Sequence, residues 1–274
     1  MIICNGKTFS QLGEITLEVN TFSQLASQFT VPIYSKNGAP LLWEETYFHL
    51  MSCLRRWRMK IPMEFTPDYL QDQIQQLQSH DNSLSLFALS TLRTTKSSSE
   101  NPLTSFSWVL EGVGDFSTST NSSVYEIELY KDIYLSEDYF ATLPTSQQTQ
   151  RDLAQIYAYE NGYDDCLLLN TSKNIVESSL GSLFLFADNT VVTPDLGSGC
   201  QATVIRAAYI KWLKENKQFS FEERPISPFE LQRADSLQLV NPVKGIDTVS
   251  KYRKKTYSNS ILQELFRSFW EELS

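Results

Sequence analysis

Two histidines, four cysteines and the adjacent aspartates Asp164 and Asp165 are the side chains of this sequence with the most chemistry within reach. His49 and His80 are too few for a multi-histidine metal centre in one chain, so a zinc hydrolase is excluded and no metal site is expected. A Ser-His-Asp triad would have to recruit one of them, yet no serine stands in a Gly-x-Ser-x-Gly elbow. There is no glycine-rich phosphate loop and no Cys-x-x-Cys. Cys4, Cys53, Cys166 and Cys200 are widely spaced in apolar segments, a pattern of buried free thiols rather than a disulfide framework, and it points to a reducing cytoplasm. Asp164 and Asp165 invite a general acid/base reading. Neighbours in an extended strand point to opposite faces, however, so a solvated strand start is the expectation. The run Lys251, Arg253, Lys254, Lys255 could bind an anion, but in an acidic protein it reads as a solvated turn.

These side chains need a scaffold, and 274 residues with 41% hydrophobic composition can fill the cores of two lobes. A formal net charge of −9 argues against nucleic acid as a partner, because phosphate backbones are held by basic faces. No run approaches the roughly 18 apolar residues of a bilayer span, and MIICNGKTF lacks the basic and apolar regions of a secretory signal. A soluble cytoplasmic protein with no membrane partner is expected.

Ser97–Ser107 and Gly114–Ser123 are rich in turn formers and read as loops. SLSLFALSTL at 83–92, SFSWVLEGV at 105–113 and VYEIELY at 124–130 alternate like strands of an N-terminal sheet. Helical spacing predicts helices over 46–60 and, after Thr66 as N-cap and Pro67 in the first turn, over 67–78. The span 131–144 has little periodicity and serves as a connection. Thr145 and Gln148 in capping-box spacing open a helix that stops at Asn161-Gly162. CLLLN at 166–170, Ile175-Val176-Glu177, SLFLFA at 182–187 and TVVTP at 190–194 then form an antiparallel succession of short strands. Further helices are predicted over 202–216, from Ser227-Pro228, and over 259–273, with a strand through Leu237 and Leu239.

Residues 160–206 also contain ordered submotifs: G-Y-D-D-C-L-L-L-N, I-V-E, S-L-F, T-P and G-C-Q-A-T-V-I-R. RADSLQLVNPVKGIDTV at 233–249 and WEETYFHLMSCLRRWRM at 43–59 add two more. In order and spacing the set resembles the class IV (fold type IV) pyridoxal-phosphate enzymes, specifically the branched-chain aminotransferases and 4-amino-4-deoxychorismate lyases. The resemblance implies an α/β (α+β) two-lobe architecture like that of D-amino acid aminotransferase, with a small N-terminal lobe over 1–125, a larger one over 126–274, and a homodimer. It also implies pyridoxal phosphate between the lobes, held as a Schiff base by a lysine that afterwards moves protons at the substrate α-carbon.

Set against that pattern, the lysine position falls at Pro144, within Leu143-Pro144-Thr145, and no lysine occurs from 132 to 172. The arginine that would hold the phosphate corresponds to His49 and the preceding histidine to Thr46. The glycine of the second phosphate segment corresponds to Thr203, followed by Val204 and by Ile205 in place of Met or Thr. One asparagine of the cofactor loop corresponds to Ser182, and a Tyr-Gly-Asp-Gly turn to Leu25-Ala26-Ser27-Gln28. Glu177 matches the carboxylate that faces the pyridine nitrogen, with a purely structural hydrogen-bonded glutamate as the competing account. His49 could donate to an anion or be a satisfied helix histidine. The expectation is a catalytically degenerate binding or regulatory homologue, with no catalytic residue and a small anionic ligand between the lobes. The other reading is an active pyridoxal-phosphate aminotransferase or lyase on a small amino acid or amino-chorismate, in which Lys131 or Lys173 reaches the cofactor.

Overall fold

A computed structural model describes residues 1–10, 28–77, 84–94, 105–115, 124–144, 147–258 and 262–273. The chain divides into two compact units, Met1–Phe116 and Ser117–Leu273.

The first unit contains strands β1 (Ile2–Cys4), β2 (Lys7–Phe9), β3 (Gln28–Lys36) and β4 (Ala39–Leu41), helices α1 (Trp43–Arg56) and α2 (Pro67–Leu77), then β5 (Leu84–Thr94) and β6 (Ser105–Asp115). Among the described residues the strands form an antiparallel sheet in the order β2-β1-β6-β5-β3-β4. Alternation buries Phe29, Val31 and Ile33 of β3 on one face. In β5 the adjacent Leu86 and Phe87 are both buried, and opposite them the ladder slips register, with Val113 of β6 as the extra residue. Helix α1 starts three residues before its predicted start and buries Thr46, Leu50, Met51, Cys53 and Leu54. Glu44 and Glu45 lie at its positive end and Arg55 and Arg56 at its negative end. Thr66 does cap α2: its hydroxyl accepts from the Tyr69 amide at 3.2 Å.

The second unit contains β7 (Glu126–Leu135), α3 (Gln148–Asn161), β8 (Asp165–Asn170), β9 (Ile175–Ser178), β10 (Ser182–Ala187), β11 (Thr190–Thr193), α4 (Val204–Asn216), β12 (Ser220–Glu223), β13 (Ser236–Asn241), β14 (Gly245–Val249), β15 (Lys251–Tyr252), β16 (Lys255–Thr256) and α5 (Leu262–Leu273). The described strands make two sheets, β16-β15-β7-β8-β9 and β12-β11-β10-β13-β14. Strand β8 explains why they pack together. Leu167 and Leu169 join a core with Leu183, Leu185, Leu237 and Leu239 of the other sheet, whereas Cys166 and Leu168 join Ala154 and Ala158 of α3. A strand covered on both faces needs consecutive apolar residues, and C-L-L-L supplies them.

Two expectations change. The segment read as an N-terminal strand over 124–130 becomes β7, which runs on to Leu135 and pairs with β8 in parallel, so β7-α3-β8 is a crossover unit in the second sheet system. Helix α3 is not opened by a capping box: Gln147 is its N-cap in a left-handed conformation (φ 56°) with no side-chain cap, and Thr145 lies outside the described residues. Its end is as expected, with Gly162 at φ 74°. Among the described residues no helix is long and apolar enough to cross a membrane, and all four cysteines are free and buried.

Candidate functional site

The site of the second unit is assembled where α3, β9 and the approach to α4 meet. The connection before α3 is fastened at both ends. Gln147 Oε1 accepts from the Ser136 amide at 2.6 Å and its Nε2 donates to the Ser136 carbonyl at 3.2 Å. Asp138 accepts from the Phe140 amide at 2.8 Å, and the Ser136 hydroxyl and that amide hold its carboxyl below the usual range. Further along, the Thr142 carbonyl accepts from the Ala202 amide at 2.9 Å. Pro144 is therefore a buried residue of a pinned segment that runs beside the 201–202 backbone.

Glu177 reaches this place through an irregularity in its strand. In β9 Glu177 stands opposite Leu168 and Ile175 opposite Leu169, so Val176 is an extra residue with no partner in the ladder. Such a bulge turns the side chain beyond it. Glu177 thereby shares the face of Leu168, towards α3, and meets Arg151. The Arg151 Nε donates to Glu177 Oε1 at 2.7 Å and Nη2 donates to the same oxygen, while Oε2 accepts from the Gln201 amide at 2.9 Å. Both side chains are only 3% exposed. Both carboxylate oxygens are thus engaged, one by a guanidinium and one by a backbone amide.

The loop after Glu177 is tightly wound. Ser178 Oγ accepts from the Leu180 and Gly181 amides at 3.2 and 2.9 Å. Gly181 packs onto β13 so closely that an added Cβ would lie 2.3 Å from the Val240 carbonyl oxygen. Ser182 follows, buried at the start of β10. At the first turn of α4, Thr203 is extended (φ −88°) and its hydroxyl accepts from the Arg206 amide at 3.3 Å. The side chain expected to crowd an anion-binding turn is the helix N-cap, and Val204 and Ile205 bury theirs as the first two helical residues. Arg206 turns back to donate to the Pro194 carbonyl at 2.6 Å.

His49 belongs to the first unit, on α1. Its Nε2 lies 3.7 Å from Cys53 Sγ, and burial together with the Arg56 charge lowers its pKa to about 4, so at neutral pH the ring is uncharged. Lys131 and Lys173 are exposed. Of the adjacent acids only Asp164 behaves as a solvated strand start. Asp165 is 1% exposed, and its Oδ1 accepts from the Ser179 hydroxyl and the Cys166 amide; burial raises its pKa to about 6. In the basic run, Lys251 pairs with Glu126 and Arg253 with Glu128, as a surface hairpin beside β7 would allow.

The motif pattern does not point to Arg151, because in the span before Gly162 it implies only a lysine. One signal was available: an arginine four residues into a helix opposes the helix dipole and calls for a nearby anion.

The model of the family described as amino-transferase class IV matches residues 30–252. A protein of Aquifex aeolicus named "Probable branched-chain-amino-acid aminotransferase" is 29% identical over 131 residues, which is 42% of this chain and 42% of that relative's length. Among solved structures, 4-amino-4-deoxychorismate lyase from Pseudomonas aeruginosa superposes with a TM-score of 0.78 at 20% identity, covering 100% of this chain and 98% of the other. A branched-chain aminotransferase from Thermoproteus uzoniensis gives 0.83 at 14% identity, covering 99% and 94%. At those identities the likeness is one of fold, and the fold is type IV.

Proposed function

The chain belongs to the amino-transferase class IV family, and from that premise we propose that it is a catalytically degenerate member, a binding or regulatory protein that does not form the family's lysine-linked cofactor. Pyridoxal phosphate would supply the electron sink for chemistry at an amino-acid α-carbon. The residues present do not fit it. Pro144 offers a ring nitrogen already committed to the backbone in the place where an amine should condense. Glu177, the carboxylate that would keep a pyridine nitrogen protonated, has its charge opposed by Arg151. His49, uncharged at neutral pH, cannot replace a phosphate-binding guanidinium. The single observation that carries the reading is Pro144, because the other contacts tune a cofactor and the lysine anchors it. The ligand class that goes with the reading is a small anion, and the partner is a second copy of the chain in the cytoplasm.

The test is to add pyridoxal phosphate to the full-length protein, follow the visible spectrum, reduce with borohydride and map modified lysines. The expected result is no saturable visible band and only scattered labelling of exposed lysines such as Lys131. A stoichiometric band with one modified lysine would instead establish an active transferase or lyase with a relocated anchor.

A further inference from the structure

A charged pair excluded from water to this degree is costly to assemble, and it persists only where each partner satisfies the other. Arg151 stands near the positive end of α3, where the helix dipole opposes it, so the helix itself gives no reason for a cation there. Its position is accounted for by Glu177, which the bulge at Val176 turns towards it. With the guanidinium on one carboxylate oxygen and the Gln201 amide on the other, the pair is a closed unit.

We infer that Arg151 is the resident cation of Glu177, and that by occupying this carboxylate it makes the site select against ligands bearing a protonated ring nitrogen. A pyridinium arriving at Glu177 would meet a fixed like charge and a carboxylate whose oxygens are already held by Arg151 and the Gln201 amide. This is a determinant of ligand choice separate from the covalent anchor. It holds whether or not any lysine reaches a cofactor, because it concerns non-covalent recognition of the ring.

The test uses 4′-deoxypyridoxine 5′-phosphate, which carries the ring and phosphate but no aldehyde and so cannot report on a lysine. Calorimetric titration of the wild-type protein is expected to show no binding up to roughly millimolar probe. Arg151→Ala should gain at least about tenfold in affinity, and adding Glu177→Gln to it should abolish the gain. Removing one member of a buried pair should lower the Tm of Arg151→Ala by about 10 °C. Methylguanidinium should restore part of that loss in Arg151→Ala and none in the double variant. Should Arg151→Ala fail to fold, Arg151→Met with Glu177→Met removes both charges and is expected to fold with a Tm nearer the wild type than Glu177→Met alone. Tight binding of the probe by the wild-type protein would overturn the inference, as would equal affinities of wild type and Arg151→Ala, or a Met/Met pair no more stable than the single Glu177→Met variant. A borohydride-trapped lysine would overturn the degenerate reading and leave this one standing.

Discussion

Pro144 and Arg151 lie on either side of the start of α3 and carry unlike chemistry, one a tertiary amide with no N–H to give and the other a guanidinium. Restoring an amine at the first without removing the second should achieve little. Pro144→Lys places an ammonium on a buried, pinned segment beside the 201–202 backbone, in a neighbourhood whose anion is already neutralised. We expect it to lose about 1–3 kcal/mol of stability and to show no stoichiometric visible band with pyridoxal phosphate. Pro144→Lys combined with Arg151→Ala should show more of the band than either single change, as read by absorbance after titration. A full band in Pro144→Lys alone would show that residue 151 is irrelevant to the anchor. The sequence exposed Glu177 because it falls inside a spaced motif, and Pro144 because it stands where the resemblance implies a lysine ahead of that motif. Arg151 was hidden because its meaning lies in a contact across 26 residues that a bulge creates. Asp165 was hidden for a related reason: alternation shows that two neighbours face opposite ways, and does not show which way is inward.

At the scale of elements, helices and short strands were legible to within a few residues wherever a boundary was clearly marked, by a stop such as Gly162 or a start such as the capping box of Ser227 and Glu230. Sheet membership was not. β7 alternates as any strand does, and only its parallel pairing with β8, across α3, assigns it to the second unit. Nor does local pattern reveal where two elements touch through bare backbone. Gly181 is such a place, with no room for a Cβ between the Ser178 turn and β13. Gly181→Ala should force the turn off the strand and cost at least about 2 kcal/mol, measurable as a lower urea midpoint. Gly162→Ala meets open space and should cost only about 1 kcal/mol from its left-handed backbone. Equal losses in the two variants would refute the close-approach account.

Across the whole molecule, two shifted acid-base groups fall in different compact units. His49, in the first, has its folded pKa lowered to about 4, below the 6.5 of an ordinary histidine. The unfolded chain therefore binds the extra proton, and stability of that unit falls as pH drops from 6.5 towards 4. Asp165, in the second, has its pKa raised from 3.8 to about 6. There the folded state binds the extra proton, so its contribution is fullest below 3.8 and is lost as pH rises through 6, by up to about 3 kcal/mol. Asp165→Asn should flatten this dependence in the second unit and His49→Gln the opposite one in the first, each read by hydrogen exchange of its own unit. Mild acid consequently pulls the molecule in two directions at once. Between pH 7 and 5 the first unit slackens while the second tightens, so the two shifts oppose each other in a melting curve of the whole chain and separate only when each unit is followed on its own.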